Sequence, residues 1–273
     1  MENNLLTIED GVLSEYTDKT VKSIVIPDGV TKICKFAFYN CTSLESITIP
    51  DSVTIIESGV FKFCESLKEI TIPNSVIEIG DQIFSHCESL KEITIPDNVT
   101  KIGEYTFYGC ESLEKVILPE GVTEIGDHAF YGCESLKEIT IPDSVIEIGT
   151  STFTDCKSLK EIKIPDGVTE IGIGAFAYCE SLEKVILPEG VTEIRDYTFY
   201  GCKSLKEITI PDSVTEIGDQ AFQFCASLKE LSIPDSIRVI GSYAFYGCVL
   251  LDSTISSSRN YLISQFEKFQ KNN

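Results

Sequence analysis

Eleven cysteines, two histidines and 43 aspartates and glutamates are the groups in this 273-residue chain that could bridge, ligate a metal or move protons. Ten of the cysteines, Cys41, Cys64, Cys87, Cys110, Cys133, Cys156, Cys179, Cys202, Cys225 and Cys248, follow one another at intervals of 23 residues, and only Cys34 lies outside the series. Zinc needs ligands in close pairs such as C-x-x-C. No such pair exists, and His86 and His128 fall at different places in the 23-residue frame. Cysteines stacked one unit above another would keep their Cβ atoms about 5 Å apart with parallel vectors, whereas a disulfide brings them to about 3.8 Å. The spacing therefore predicts a ladder of reduced, buried thiols, weakly bonded to backbone carbonyls. Catalytic chemistry has no constellation to rest on: there is no G-x-S-x-G, H-E-x-x-H, phosphate loop or dinucleotide fingerprint. No catalytic, metal or cofactor-binding residue is expected.

The elements that position these side chains show the same period. All ten prolines, Pro27 to Pro234, and ten phenylalanines, Phe38 to Phe245, keep the step of 23, as do ten leucines, Leu44 to Leu251. The unit reads P-D-x-V-T-x-I-G-x-x-A-F-Y-x-C-x-S-L-K-x-I-T-I and runs in ten copies over 27–256. Leu-x-x-Ile-x-Ile ends in β-branched alternation, the mark of a short strand with one face buried. Proline, which has no N–H to give a ladder, stops it, and Asp or Asn with Gly or Ser makes the turn. Val-Thr-x-Ile predicts a second short strand on the opposite side of the coil. Glycine follows in seven units, with Cys34, Glu57 and Arg195 in the others, so a positive φ is preferred there and not mandatory. Ala-Phe-x-x-Cys is read as a tight helical turn that drops Phe and Cys inward. A single unit of this length encloses no core; stacked units bury their apolar residues against those above and below. A rise of roughly 5 Å per unit gives a rod or arc on the order of 50 Å long.

This pattern resembles the BspA-like leucine-rich repeat family, whose units carry I-P-x-x-V-T-x-I-G-x-x-A-F-x-x-C-x-S-L-x-x-I-x-I. The resemblance implies a mostly β, right-handed solenoid with a parallel β-sheet and short helical turns. It also implies a family linked to cell-surface adhesion and protein–protein contact, with a host or self surface protein as partner.

The ends read as caps. Residues 1–26 hold a first partial repeat and, before it, Leu5 to Ile8 and Val12 to Ser14 around Glu9-Asp10-Gly11, a hairpin signal. Over 257–273, Leu262, Phe266 and Phe269 recur at helical spacing after Ser256 to Ser258, which predicts a capping helix, with a partner-binding helix as the alternative. The start Met1-Glu2-Asn3-Asn4 has no basic and apolar leader pattern, and no run of 18 apolar residues could insert in a membrane. A cytoplasmic location follows by default; the family resemblance points to the cell surface or secretion.

What varies from unit to unit is the informative part. A net charge of -21 excludes nucleic acid, whose binding needs Lys and Arg to displace counterions, and disfavours an anionic membrane. Part of that acidity falls in one column, Glu124, Glu147, Glu170, Glu193 and Glu216, readable as a solvated face or as a docking stripe for a basic partner. Beside the main strand, Lys and Glu alternate so that every third unit swaps sign and the columns largely neutralise themselves. The swapped units carry Ile117 and Ile186 where most others carry Thr, two apolar points on that face. Tyrosines form a third candidate surface: Tyr105 with Tyr108, Tyr131 beside His128, Tyr197 with Tyr200, and Tyr243 with Tyr246. Other units place Lys62, Ser85, Thr154 or Gln223 there, so the core does not demand a ring. Either these tyrosines pack on one another, or they supply recognition area. The expected function is a non-enzymatic protein-interaction or adhesion scaffold. The alternative is a structural spacer, favoured by Ile117 to Val122 recurring as Ile186 to Val191 three units later.

Overall fold

The computed structural model describes residues 5–251. β1 (Leu6–Glu9) and β2 (Val12–Tyr16) form an antiparallel hairpin whose turn residues, Asp10 and Gly11, both take positive φ (51° and 77°). That geometry matches the twist of paired strands and needs Asn, Asp or Gly. β2 then pairs in parallel with β4 (Lys32–Ile33), so the hairpin starts a ladder of two-residue strands that climbs through Ile55–Ile56 and Glu78–Ile79. The ladder resumes at Lys101–Ile102 and continues to Val239–Ile240. On the other side of the coil, three-residue strands stack in parallel, beginning with β3 (Ser23–Val25) on Ser46–Thr48 and Glu69–Thr71. The central residue of these strands, such as Ile47, Ile93 or Val185, is buried, Leu231 near the C-terminal end being only partly so, and its neighbours face outward.

The Ala-Phe-x-x-Cys segments are not helical turns, and among the described residues there is no helix. Two residues in each of these segments take positive φ. Tyr105 (54°) and Gly109 (69°) occupy these slots in one rung, His128 (56°) and Gly132 (71°) in the next. A right-handed helix cannot contain such residues. The result is a chain of overlapping turns, Tyr108 N–H donating to Tyr105 O and Cys110 N–H to Phe107 O. Left over, the alternate N–H groups point along the solenoid axis: Tyr105 donates to Asp127 O (2.9 Å), Phe107 to Ala129 O (2.7 Å) and Gly109 to Tyr131 O (2.7 Å). These bonds recur from Phe36 to Phe224 and make a third ladder, built without strands. A non-glycine residue at positive φ costs about 1–2 kcal/mol, and each inter-rung bond returns about 1 kcal/mol, so the segment is stable only when stacked.

Inside, nine phenylalanines from Phe38 to Phe222 are fully buried, and their rings stack at centroid distances such as 5.2 Å for Phe107–Phe130 and 5.3 Å for Phe130–Phe153. Tyr16 of the hairpin closes the column on Phe38 at 5.5 Å. The ladder of reduced thiols is as expected: all eleven cysteines are free, and Sγ of Cys64 to Cys248 donates to the carbonyl of the phenylalanine 26 residues back, at 3.1 to 3.3 Å. Burial pushes the interior thiols, Cys87 to Cys202, well up. At the N-terminal end a hydrogen bond with Cys64 and the Lys19 ammonium, 3.5 Å away, bring Cys41 down to about 7. Alkylation also needs access, so iodoacetamide at pH 8 is expected to label Cys34 and Cys248, the two thiols that are not buried, first and to leave Cys110 to Cys202 untouched until unfolding. Peptide mass spectrometry reads the order; Cys133 or Cys156 reacting as fast as Cys34 would contradict it.

The recurrent glycine has a different cause from the one its turn position suggests. Gly80, Gly126, Gly149, Gly172, Gly218 and Gly241 do not take positive φ. A Cβ on Gly126 would stand 2.9 Å from Glu104 N, on Gly149 2.6 Å from Asp127 N, and on Gly218 2.6 Å from Asp196 N. Successive rungs simply approach too closely here for a side chain. Where Arg195 replaces glycine, the two-residue ladder divides between Glu170–Ile171 and Glu193–Ile194. It also divides between Glu78–Ile79 and Lys101–Ile102 despite Gly103, where a Cβ would meet the Asp81 carboxylate first and the Asp81 Cα at 3.2 Å. The capping helix expected over 257–273 lies outside the described residues.

Candidate functional site

The five glutamates open successive two-residue strands and stand in register, Glu124 opposite Glu147, Glu147 opposite Glu170, and Glu193 opposite Glu216. Like charges at this spacing repel, and the chain sets cations among them. Lys101 pairs with Glu124 at 2.8 Å, and the Arg195 guanidinium reaches both Glu170 and Glu193 at 2.6 Å. Arg195 therefore uses a slot that normally holds glycine to neutralise part of the stripe. Glu57, another replacement of that glycine, pairs with Lys32 at 2.6 Å and accepts the Lys35 N–H.

The face of three-residue strands carries Ile117 and Ile186, 47 % and 52 % exposed, each at the end of its strand, as Val25 is in the first rung. Ile117 stands beside Thr94, and Ile186 lies between Lys163 and Thr209, so the two isoleucines are not brought together. Three rungs separate them, about 14 Å. An open groove of 860 Å³ runs along this face from Ser46 to Ile117. The charged columns beside it do neutralise themselves: Glu45 lies between Lys22 and Lys68, Glu114 meets Lys137, and Glu183 meets Lys206. Hydrogen bonds from Lys22 and Lys68 hold the Glu45 carboxyl down at about 2.

The tyrosines, in contrast, do converge. Tyr105 stacks on His128 at 4.7 Å, Tyr108 on Tyr131 at 4.9 Å, and Tyr105 also meets Tyr108 at 5.6 Å. A second cluster joins Tyr197 and Tyr200 at 5.8 Å, and Tyr243 and Tyr246 at 5.9 Å. Pairing tyrosines at i and i+3 missed Phe63, His86, Tyr178 and Phe224, which make these clusters continuous, and Phe36, which meets Tyr39 at 5.7 Å as Tyr39 in turn meets Phe63. Phe63 stacks on His86 at 4.7 Å, His86 meets Tyr108 at 5.2 Å, Tyr178 meets Tyr200 at 5.1 Å, and Phe224 links Tyr200 to Tyr246. Four of them, Phe63, His86, Tyr178 and Phe224, stand one residue before the repeat cysteine. The readable signal was an aromatic followed 23 residues later by glycine, which holds for Phe36, His86, Tyr178 and Phe224 but not for Phe63. A Cβ on Gly109, Gly201 or Gly247 would meet the ring of His86, Tyr178 or Phe224 at 2.8, 3.0 and 2.6 Å. Phe36, Tyr178, Tyr197, Phe224 and Tyr246 remain 40 to 50 % exposed. Burial and the Asp155 charge push the Tyr131 phenol up, and burial does so for Tyr200.

Among the described residues no group of three or more His, Cys, Asp or Glu is placed to hold a metal ion, and no helix is long and apolar enough to cross a membrane. What the structure defines is a parallel β-solenoid of 23-residue turns, with a constant interior and a varied exterior. The family pattern described as a BspA type leucine rich repeat region matches residues 7–136, 78–206 and 146–271, and the chain belongs to that family. It is 31 % identical to a leucine-rich repeat protein from Bacteroides ovatus ATCC 8483, over 85 % of this chain and 78 % of that one, with a TM-score of 0.57. A leucine rich cell surface protein from Faecalibacterium prausnitzii A2-165 is 30 % identical over 91 % of both chains, TM-score 0.50. The pneumococcal vaccine antigen PcpA shares the fold at 22 % identity, over 93 % of this chain and 88 % of that one, TM-score 0.51. Among curated proteins, none matches. Repeats of this family suggest a protein-interaction scaffold.

Proposed function

We propose that the protein is a non-enzymatic adhesion or protein-binding scaffold of the cell surface, and that it recognises a protein partner through the aromatic turn edge. One observation carries this reading: rings gather on the turns in slots where the core does not require them. Gln82, Ser151, Gly174 and Gln220 occupy the slot of Tyr105 and Tyr197 in other rungs, with the same positive φ. Rigid, partly exposed aromatics give contact area at low entropic cost and are frequent anchors of interfaces. The Faecalibacterium relative, a leucine rich cell surface protein, supports the surface location. The glutamate stripe and the Ile117/Ile186 face rank below the turn edge, because ion pairs already engage Glu124, Glu170 and Glu193 of the first and the second offers only separate apolar points.

The test replaces Tyr105 and Tyr197 by Gln, the residue the chain itself uses in that slot, and pairs this with a variant lacking one three-unit block. Capture of partners from host-cell and self extracts is expected to fall at least fivefold for the double tyrosine variant while its melting temperature stays unchanged. A spacer would give the opposite result, with capture indifferent to the tyrosines and dependent only on the number of rungs. Glu→Gln changes at Glu124, Glu147, Glu170, Glu193 and Glu216 measure the stripe's share in the same assay.

A further inference from the structure

Over rungs seven to ten the aromatics of the turn edge alternate. Tyr178 and Phe224 stand directly before the cysteine, and the rung after each holds Gly201 or Gly247 in that slot. The reason is room: each ring leans over the glycine of the next rung, where a Cβ would meet it at 3.0 and 2.6 Å. Tyrosines fill the other two turn slots only in the glycine-bearing rungs, as Tyr197 with Tyr200 and Tyr243 with Tyr246. Rings therefore meet edge to face along a zigzag, Tyr178 against Tyr200 at 69°, Tyr200 against Phe224 at 83° and Phe224 against Tyr246 at 74°. The first cluster is built differently. It repeats rings in one slot on successive rungs, so Tyr105 lies flat on His128 (4°) and Tyr108 on Tyr131 (16°), and these faces cover one another. In the zigzag the clefts between perpendicular rings stay open, with Tyr178, Phe224 and Tyr246 exposed.

The period of the zigzag selects what fits it. Equivalent clefts, Tyr178 with Tyr200 and Phe224 with Tyr246, recur every two rungs, about 9.5 Å. A polyproline II helix advances about 9.3 Å per turn of three residues, so its residues i and i+3 meet the same surface twice when it lies along the solenoid axis. An extended strand repeats at about 6.7 Å and an α-helix at about 5.4 Å, and neither keeps step. Proline rings pack between aromatic rings, and the conformation is formed before binding. Charge adds a direction. Asp196 and Asp219 stand on adjacent rungs where the chain enters these turns, joined by the Asp219 N–H donating to the Asp196 carboxylate. Where the chain leaves them, Glu180 and Lys203 cancel at 2.8 Å, and Ala226 and the exposed Val249 follow. One flank of the zigzag is acidic, and the other carries no net charge.

We propose that the turn edge of rungs seven to ten binds a proline-rich protein segment in the polyproline II conformation. Prolines three residues apart sit in the two clefts, and a lysine or arginine of the segment lies along the flank of Asp196 and Asp219. The inference rests on the turn edge being the binding face and names the class of partner it takes.

Fluorescence anisotropy tests it with a labelled, capped peptide that has one arginine followed by prolines at every third position of an alanine background. The expected result is saturable binding, about fivefold or more tighter than for a peptide with the same prolines at every second position, and none when alanine replaces the prolines. Phe224→Asn uses the residue that the chain itself places at positive φ in that slot as Asn40. It should weaken binding about five- to tenfold while circular dichroism stays that of the parent, and Phe224→Tyr, which keeps the ring, should restore it. Citrulline in place of arginine should cost about threefold, as should Asp196→Asn with Asp219→Asn, and the two changes together no more than either alone. Equal affinity for the two proline spacings, or binding indifferent to Phe224→Asn, overturns the proposal. Should the proline peptide fail to bind while the tyrosine double variant still loses its partners from extracts, the turn edge stands as the binding face and only the proline-rich class falls.

Discussion

Phe130→Ala is expected to remove about 3–5 kcal/mol of stability, the range for deleting a buried phenylalanine. Phe130 is fully buried between the rings of Phe107 and Phe153, at 5.2 and 5.3 Å. The side chain belongs to two inter-rung contacts at once, and a solenoid is held by such nearest-neighbour contacts alone. The loss should therefore show twice: as a lower urea midpoint and as a division of one transition into two, because the halves on either side of rung five no longer support each other. Phe130→Leu, which refills most of the space, should recover the single transition. A loss under about 1 kcal/mol, or an unchanged single transition for Phe130→Ala, would show that the ring column is not what couples the rungs.

Gly149→Ala should cost about 2–3 kcal/mol, near the upper end for forcing atoms into a packed interior. The added Cβ would stand 2.6 Å from Asp127 N and 2.7 Å from Gly126 C, atoms of the backbone below that cannot rotate away. The same Asp127 carboxylate accepts the Thr150 N–H at 2.6 Å, so pushing the rungs apart also strains a hydrogen bond. Gly29 provides the contrast. Its φ is 89° and a Cβ there would meet nothing within 4 Å. Gly29→Ala should lose only the conformational part, about 1–2 kcal/mol. Thermal denaturation of the two variants separates lack of space from backbone preference; a Gly149→Ala loss no larger than that of Gly29→Ala would mean that the rung below gives way and lack of space is not what keeps glycine in the repeat.

Much of this was legible without coordinates. The 23-residue step fixed which residues stack, and stacking alone made the cysteines a reduced ladder and the phenylalanines a ring column, because identical side chains one rung apart must share one environment. The hairpin at Asp10-Gly11 and the two strands of the unit were also readable, since proline ends the one and alternation marks the other, although 138–140 forms no strand. The turn segment was misread as helical. Its Ala-Phe-x-x-Cys pattern has helical spacing, and nothing in local propensity reveals that Tyr105 and His128 take positive φ so that their N–H groups can reach the next rung.

The candidate site divides along the same line. Sequence alone determined the register, the charge of each column and the presence of tyrosines in slots the core leaves free, because all of these depend only on position within the period. Tertiary structure alone decided what those columns touch. Arg195 bridges Glu170 and Glu193 because successive rungs present them on one ladder, and His86 lies over Gly109 because a ring needs the room that a missing Cβ leaves. The edge-to-face zigzag of Tyr178, Tyr200, Phe224 and Tyr246 belongs to this second kind. Whether neighbouring rings lie flat or on edge depends on packing between rungs, and the repeat, which fixes where a residue stands, does not fix which way its side chain turns.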